Sequence, residues 1–379
     1  MKRTILGSLV SLALLGLAGT ALAQQGPVKV GLIYPLSGGS GPAAQTNVKA
    51  IQSMAAMIND DGGVLGRKIE FVIRDDEGTP AVGVAKANEI VAENVAVVLE
   101  GWNSPVVLAM QPIFTRANIL DITSHGQADA ILSGTGNPLA IKLNSSGADT
   151  GEATAAFIKK KGYKRLAFMV QNDVYGNGAA QALVDGLKKL NVAYTLVSEQ
   201  KFPMSKLDFR GELTSIREAN PDAVLFWNAS SSTGVPTTLQ QFKQARINAP
   251  IIAGAGVATE NTIEQTGPDA NGMFSTDFYF SDIPPFDKIP QNARFNARVK
   301  QMHGIKPDKF MALGALSLQI WAKAANETKS LSKDVIAKRI RGGVIKDTII
   351  GDAQFSANGQ LQAKFYDYTV TNGKVTIIP

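Results

Sequence analysis

The sequence predicts an α/β protein of two lobes built on parallel sheets, and three observations carry that expectation. Strand-like and helix-like segments alternate along most of the chain, the pattern of parallel strands joined by covering helices. The chain has 379 residues, beyond the roughly 250–300 at which one hydrophobic core stops growing. No flexible linker, internal repeat or low-complexity tract divides it, so the lobes are expected to be joined by several short crossings.

The elements follow in order. Met1-Lys2-Arg3 is a positive head, residues 5–19 are uncharged and apolar, and Ala21-Leu22-Ala23 offers small residues before Gln24. This reads as a secretory signal peptide, residues 1–23, cleaved after Ala23. Its apolar stretch is shorter than the ~20 residues of a membrane span, so a periplasmic protein that is not membrane-inserted is expected. "VKVGLIYPL" then forms a first strand, and residues 45–59 a helix with Val48, Ile51, Ala55 and Ile58 on one face. "IEFVIRDD" returns as a strand. The cycle repeats in "VAVVLEG" with a helix over 105–116, in "NILDIT", in "RLAFMVQ" with a helix over 177–189, and in "DAVLFWN" with a helix over 234–245. Beyond residue 280, "SDIPPFDKIP" is irregular and helices are expected over 291–302 and 308–326. "KFYDYTV" and "KVTII" form a strand pair around an Asn372-Gly373 turn.

Composition narrows the function. There is no cysteine, so neither a disulfide framework nor a thiolate metal site is expected, nor a lipid-modified N-terminal cysteine. With 38 Lys and Arg against 32 Asp and Glu the formal charge is +6, modest and scattered, and no nucleic-acid partner is implied. The densest run, Lys159-Lys160-Lys161, suits a helix C-terminus. "GSGPAA" over 39–44 nearly meets a dinucleotide fingerprint. Pro42 is foreign to it, though, and Asp75 and Asp76 lie well past the ~20-residue spacing of the ribose acid. No G-x-S-x-G occurs, and Ser145-Ser146 has no evident base partner. His125 and His303 have no acidic cluster beside them, and "RDDEGTP" lacks the alternating ligands of a calcium loop. No enzyme activity, cofactor or metal is expected.

What remains is a set of polar strand ends, and in such sheets ligands bind beyond the carboxyl ends of strands. In "GWNSP" the pair Ser104-Pro105 has the form of a helix cap followed by proline at the first helical position. First-turn N–H groups lack intrahelical partners, so this end suits a carboxylate, with Asn103 beside it and Trp102 as a flat wall. Other strand ends carry Ser124, His125 and Gln127; Asn172, Asp173 and Tyr175; Trp227 and Asn228; and the nearly bare backbone around Ala255 and Gly256. An ordinary turn explains any one of these. Their joint occurrence at one topological place points to a binding cleft.

The stretches "VGLIYPLSG", "MINDDGGVLGRKIEFVIRDDEGTP", "NDVYGNG", "LDFRGELTSIREANPDAVLF" and "GDAQFSANG" resemble the type I periplasmic solute-binding proteins of ABC importers, in the leucine/isoleucine/valine-binding branch. The resemblance covers essentially the whole mature chain. It implies two Rossmann-like lobes joined by a three-segment hinge, with residues 28–145 and 276–352 in the N-lobe and 146–275 and 353–379 in the C-lobe. It also implies ligand held in the cleft by hinge closure. Ser104 would present its hydroxyl and N–H to a ligand carboxylate, with His125 and Gln127 on the same lobe. Tyr175 would approach from the other, with Trp227, Asn228, Ala255 and Gly256 towards the hinge.

Departures from that pattern shape the ligand expectation. Amino-acid binders of this branch place an acid after the strand matching "IIAG" to accept the α-ammonium; here Ala255 or Gly256 stands there. A second acid falls on Gly147, or on Asp149 with a shift of register. The usual threonine of the carboxylate loop is Gln127, and a tyrosine of the first loop is Ala43. Because a buried unpaired ammonium is costly, a carboxylate without an ammonium is favoured, an aromatic or branched organic acid. Trp102, Trp227, Tyr175 and Phe278 or Tyr279 would then supply the apolar wall. The alternative is a branched-chain or other amino acid, with Asp149 or Asp173 taking the ammonium, or a soluble sensor subunit. The expected partner is an inner-membrane ABC permease complex.

Overall fold

A computed structural model describes residues 26–133 and 137–378; the expected leader lies outside them. In chain order the first run is β1 (Val28–Tyr34), α1 (Gly41–Asp60), β2 (Ile69–Asp75), α2 (Pro80–Ala92), β3 (Val98–Glu100), α3 (Ser104–Ala117), β4 (Asp121–Thr123) and β5 (Ile141–Lys142). The second is α4 (Gly147–Lys161), β6 (Arg165–Gln171), α5 (Val174–Lys189), β7 (Thr195–Phe202), α6 (Arg210–Glu218), β8 (Ala223–Trp227), α7 (Gly234–Gln244), β9 (Ile251–Ala253), α8 (Glu260–Thr266) and β10 (Phe274–Asp277). The last is α9 (Pro290–His303), α10 (Lys309–Thr328), α11 (Lys333–Ile340), β11 (Val344–Thr348), β12 (Gly351–Phe355), β13 (Leu361–Gln362), β14 (Tyr366–Thr371) and β15 (Lys374–Ile377).

The first lobe holds a parallel sheet ordered β2-β1-β3-β4-β5. Its strands are buried on both faces, and the pleat sorts them: Val30 and Leu32 pack in the core shared with α1 and α10, while Ile33 packs against α2 and α3 through Ile90, Val106 and Met110. The second lobe holds a sheet ordered β15-β14-β10-β9-β8-β6-β7, parallel from β10 through β7 and closed by the antiparallel pair β14 and β15. Asn372 and Gly373 turn that hairpin with φ of 52° and 70°, as the Asn-Gly signal predicts.

Three passages connect the lobes: β5 into α4, β10 towards α9, and β13 into β14. Pairing shifts two of the expected limits. Thr276 and Asp277 belong to β10 and so to the second sheet, and β12 pairs with β11 and β13 instead of entering that sheet at residue 353. A bridge between Lys142 and Gln360 joins this small sheet to the edge of the first lobe. The buried Lys142 Nζ donates to the Ser145 carbonyl at 3.1 Å and Gln360 Oε1 at 3.0 Å, tying two passages together.

Helix α4 escapes the periodicity reading because much of its buried stripe is small or polar: Thr150, Gly151, Thr154 and Ala155. It crosses α5 so closely that a Cβ on Gly151 would lie 2.3 Å from the Ala182 carbonyl oxygen. Gly151→Ala is therefore expected to lower the unfolding free energy by about 1–3 kcal/mol through overpacking. A fall in the urea midpoint checks this; an unchanged midpoint would mean the helices separate freely.

Candidate functional site

The carboxyl ends of β3 and β4 face those of β6, β8 and β9 across a cleft with about 490 Å³ of space not filled by protein atoms, open solvent included. Of the residues expected from the sequence, Trp102, Asn103, Ser104, His125, Gln127, Tyr175, Asn228, Ala255 and Gly256 line it. The turn that presents Trp102 to Ser104 needs Gly101: its φ is +97°, and a Cβ there would collide with the Thr123 hydroxyl.

Ser104 is not the helix cap. Asn103 occupies the cap position with extended backbone and no side-chain capping bond, and Ser104 is the first helical residue. Its Oγ instead accepts the backbone N–H groups of Gln127 at 3.1 Å and Ala128 at 3.2 Å. With both lone pairs engaged, the hydroxyl proton is left to donate, and the residue faces the cleft. The Ser104 N–H, in the first turn, has no intrahelical partner.

Further polar residues line the cleft. Asn103 Nδ2 and Oδ1, Asn228 Nδ2 and Ser231 Oγ are buried without a hydrogen-bond partner among the described residues, and all three residues line the cleft. Such groups left unmet cost about 1–3 kcal/mol each. Burial and the nearby Asp173 push the Tyr175 hydroxyl well above its ordinary pKa; it stays protonated and can donate.

One wall is aromatic. Trp102 lies 4.6 Å from the His125 ring and 5.0 Å from the Phe310 ring, centre to centre. Burial pushes His125 down to about 4, so the ring is neutral. Its Nε2 is 2.9 Å from the Phe310 carbonyl, and its Nδ1 is 2.7 Å from Ser124 Oγ and 3.0 Å from the Gly101 carbonyl. A neutral imidazole has one N–H. With that proton on Nε2, Phe310 accepts it, Ser124 donates to Nδ1, and the Tyr34 hydroxyl, 2.9 Å from Ser124 Oγ, donates to Ser124. His125 is thus a fixed wall and not a free base.

Several expected residues are placed elsewhere. Asp173 caps α5, accepting from Gly176 N and from Gln171 Nε2. Trp227 falls on the α4 and α5 side of β8 by strand parity and packs edge-on to Phe168 at 5.6 Å. Phe278 packs on Phe365, and Tyr279 bonds Asn292 at 2.6 Å. Asp149 is exposed in the first turn of α4. The Gly147 N–H donates to Asp129 Oδ1 at 2.7 Å, so that carboxylate caps α4. Conversely Phe310, Asn144, Gln171 and Ser231 line the cleft unforeseen; Gln171 and Ser231 lie at strand ends already singled out by their neighbours Asn172 and Asn228, whereas Phe310 comes from the start of α10.

No carboxylate or cationic side chain lines the cleft among the described residues, and these include no group of three or more His, Asp or Glu able to hold a metal. Buried acids lie in the first lobe instead. Burial and the neighbouring Asp121 raise the Glu100 carboxyl well above its usual range. Burial brings Asp76 up to about 7, against a bond from the Gly78 N–H. An aspartate with a raised folded pKa keeps a proton that the unfolded chain has already lost, so its stabilising contribution falls as pH rises from 3.8 to about 7. Asp76→Asn should therefore shrink the loss of stability between about pH 5 and about pH 8. Thermal unfolding at the two values checks this, and an equal loss in both proteins would show that Asp76 is ionised in the fold.

Comparison with known proteins places this geometry. The Leu/Ile/Val-binding protein of Escherichia coli (strain K12) is 25% identical over 349 residues, 92% of this chain and 91% of the relative. The Leu/Ile/Val-binding protein homolog 1 of Brucella suis biovar 1 (strain 1330) is 24% identical over 366 residues, 95% of this chain and 93% of the relative. Among solved structures, a solute-binding protein of an ABC transporter from R. palustris, in complex with benzoate, superposes with a TM-score of 0.85 at 20% identity, covering 93% of this chain and 96% of that one. A leucine-binding protein from Thermotoga maritima MSB8 superposes with a TM-score of 0.81 at 21% identity, covering 93% and 98%. No helix among the described residues is long and apolar enough to cross a membrane. With a family sequence model matching residues 27–374, the chain belongs to the periplasmic binding proteins, the solute-binding class of ABC transporters with the type I fold.

Proposed function

We propose that this protein captures a small organic carboxylate, an aromatic or branched acid without an α-ammonium, and delivers it to an ABC permease. The observation that carries the reading is a cleft lined by neutral groups alone, with the Ser104 hydroxyl proton free to donate and an aromatic wall of Trp102, His125 and Phe310. A carboxylate placed at the start of α3 would accept from the Ser104 hydroxyl and N–H, and the apolar body would rest on Trp102 and Phe310. Closure of the second lobe would bring the Tyr175 hydroxyl, Asn228 and Ser231 onto the ligand. A zwitterionic amino acid would bury its ammonium among these groups with no carboxylate to receive it, at a cost of several kcal/mol.

The solute-binding protein from R. palustris that superposes here was solved with benzoate, and a second, from Rhodopseudomonas palustris BisB5, with 3,4-dihydroxybenzoic acid at a TM-score of 0.81. They support an aromatic acid as the first choice. The curated relatives carry Leu/Ile/Val-binding names, which keeps branched-chain amino acids as the second.

The test is a thermal-shift screen followed by calorimetry with benzoate, 3-phenylpropanoate and phenylalanine, the last two differing only in the ammonium. The acids are expected to stabilise and bind, and phenylalanine to bind far more weakly. Ser104→Ala should weaken the acids by about 1–3 kcal/mol, the loss of a charge-assisted donor. Preference for phenylalanine, or an unchanged affinity in a folded Ser104→Ala protein, would contradict the reading.

A further inference from the structure

One carboxylate lies immediately behind the cleft wall. Asp277, at the end of β10, accepts the N–H of Gly256 at 3.1 Å through Oδ2 and that of Phe278 at 2.8 Å through Oδ1, and Gly256 is itself a cleft residue. It is one backbone layer from the space where the resemblance puts an ammonium-accepting acid. Asp277 is not free. Lys309, the first residue of α10, reaches across from the first lobe and sets its Nζ 2.5 Å from Asp277 Oδ1, with the two side chains 1% and 4% exposed. The same Nζ lies 4.3 Å from the centre of the Phe278 ring and 3.1 Å from the point a Cβ would occupy on Gly256. The pair is dry, spans both lobes and abuts the ligand space.

We infer that Lys309 is a specificity-determining residue that excludes the α-ammonium: by holding Asp277, it supplies from inside the protein the cation that an amino-acid ligand would otherwise bring. The inference rests on the proposed carboxylate reading of the cleft and extends it. A buried carboxylate needs a positive partner. Where the fold provides none, a ligand ammonium is the natural candidate; here the lysine fills that role permanently and leaves the wall electrically neutral. An incoming ammonium would then meet a positive charge behind Gly256 and no acceptor in front of it, while an uncharged methylene at the same place would meet only apolar and backbone atoms.

The pair can be taken apart by substitution. Leucine and 4-methylpentanoate differ only in the ammonium, and calorimetry on the full chain gives the ratio of their affinities. In the unaltered protein the acid is expected to bind more tightly. Lys309→Met keeps the length and packing of the side chain but leaves Asp277 without its partner, and the ratio should move towards leucine by on the order of tenfold or more. Asp277→Asn removes the opposite charge, leaves the Lys309 ammonium uncompensated, and should move the ratio further towards the acid. Circular dichroism checks that each variant folds; should Lys309→Met not fold, Asp277→Asn decides alone. Shifts in these opposite directions support the inference. A ratio unmoved in the folded variants overturns it while leaving the carboxylate reading intact, whereas preference for leucine by the unaltered protein defeats the carboxylate reading itself.

Discussion

Parallel strands send every strand-to-helix turn of a sheet to the same end, and in this protein two such ends face each other. That constraint gathers side chains from distant parts of the sequence, Ser104, His125, Tyr175 and Asn228, into one cleft. It also creates a problem of polar satisfaction, because strand ends carry backbone groups and first-turn N–H groups that burial leaves without water. Part of the problem is solved internally, as where the loop N–H groups of Gln127 and Ala128 are taken up by Ser104 Oγ. The remainder, Asn103, Asn228 and Ser231, stays unmet on both sides of the cleft, where the proposed ligand would meet it.

In the proposed function, electrostatics then selects among ligands. Every charged group near the cleft is either withdrawn from it or neutralised. Asp173 and Asp129 serve as helix caps, Lys309 and Asp277 neutralise one another, and His125 is neutral and bonded through both ring nitrogens. Two lobes of the same architecture serve other members of the family for zwitterions by name. In a wall built on bare backbone, the proposed role of the Asp277–Lys309 pair is to set which end of a ligand is welcome.

The sheets and most of their covering helices were legible in the sequence because their signals are strong: long apolar runs for β1, β6 and β8, proline-opened helices, an Asn-Gly hairpin. Helix α4 was legible only at its C-terminal lysines 159–161, since its buried face is largely threonine and glycine that only a close helix crossing makes sense of. At the site, position along a strand was readable but parity was not. Trp227 sits at the correct end of β8 yet points to the helix side, and Asp173, at the correct turn, spends both oxygens on its own helix and on Gln171. Phe310 and Lys309 come from the start of α10, outside the strand-to-helix turns, so reading strand ends could not find them.

In the proposed function the carboxylate end of the ligand sits at the start of α3 while its body lies on an aromatic wall with no ammonium site. A crystal structure of the protein grown with benzoate tests this most directly. Carboxylate oxygens within hydrogen-bonding distance of the Ser104 hydroxyl and N–H, with the ring packed on Trp102 and Phe310, are expected. A carboxylate bound away from Ser104, or a copurified amino acid in the cleft with its ammonium on a protein carboxylate, would contradict it.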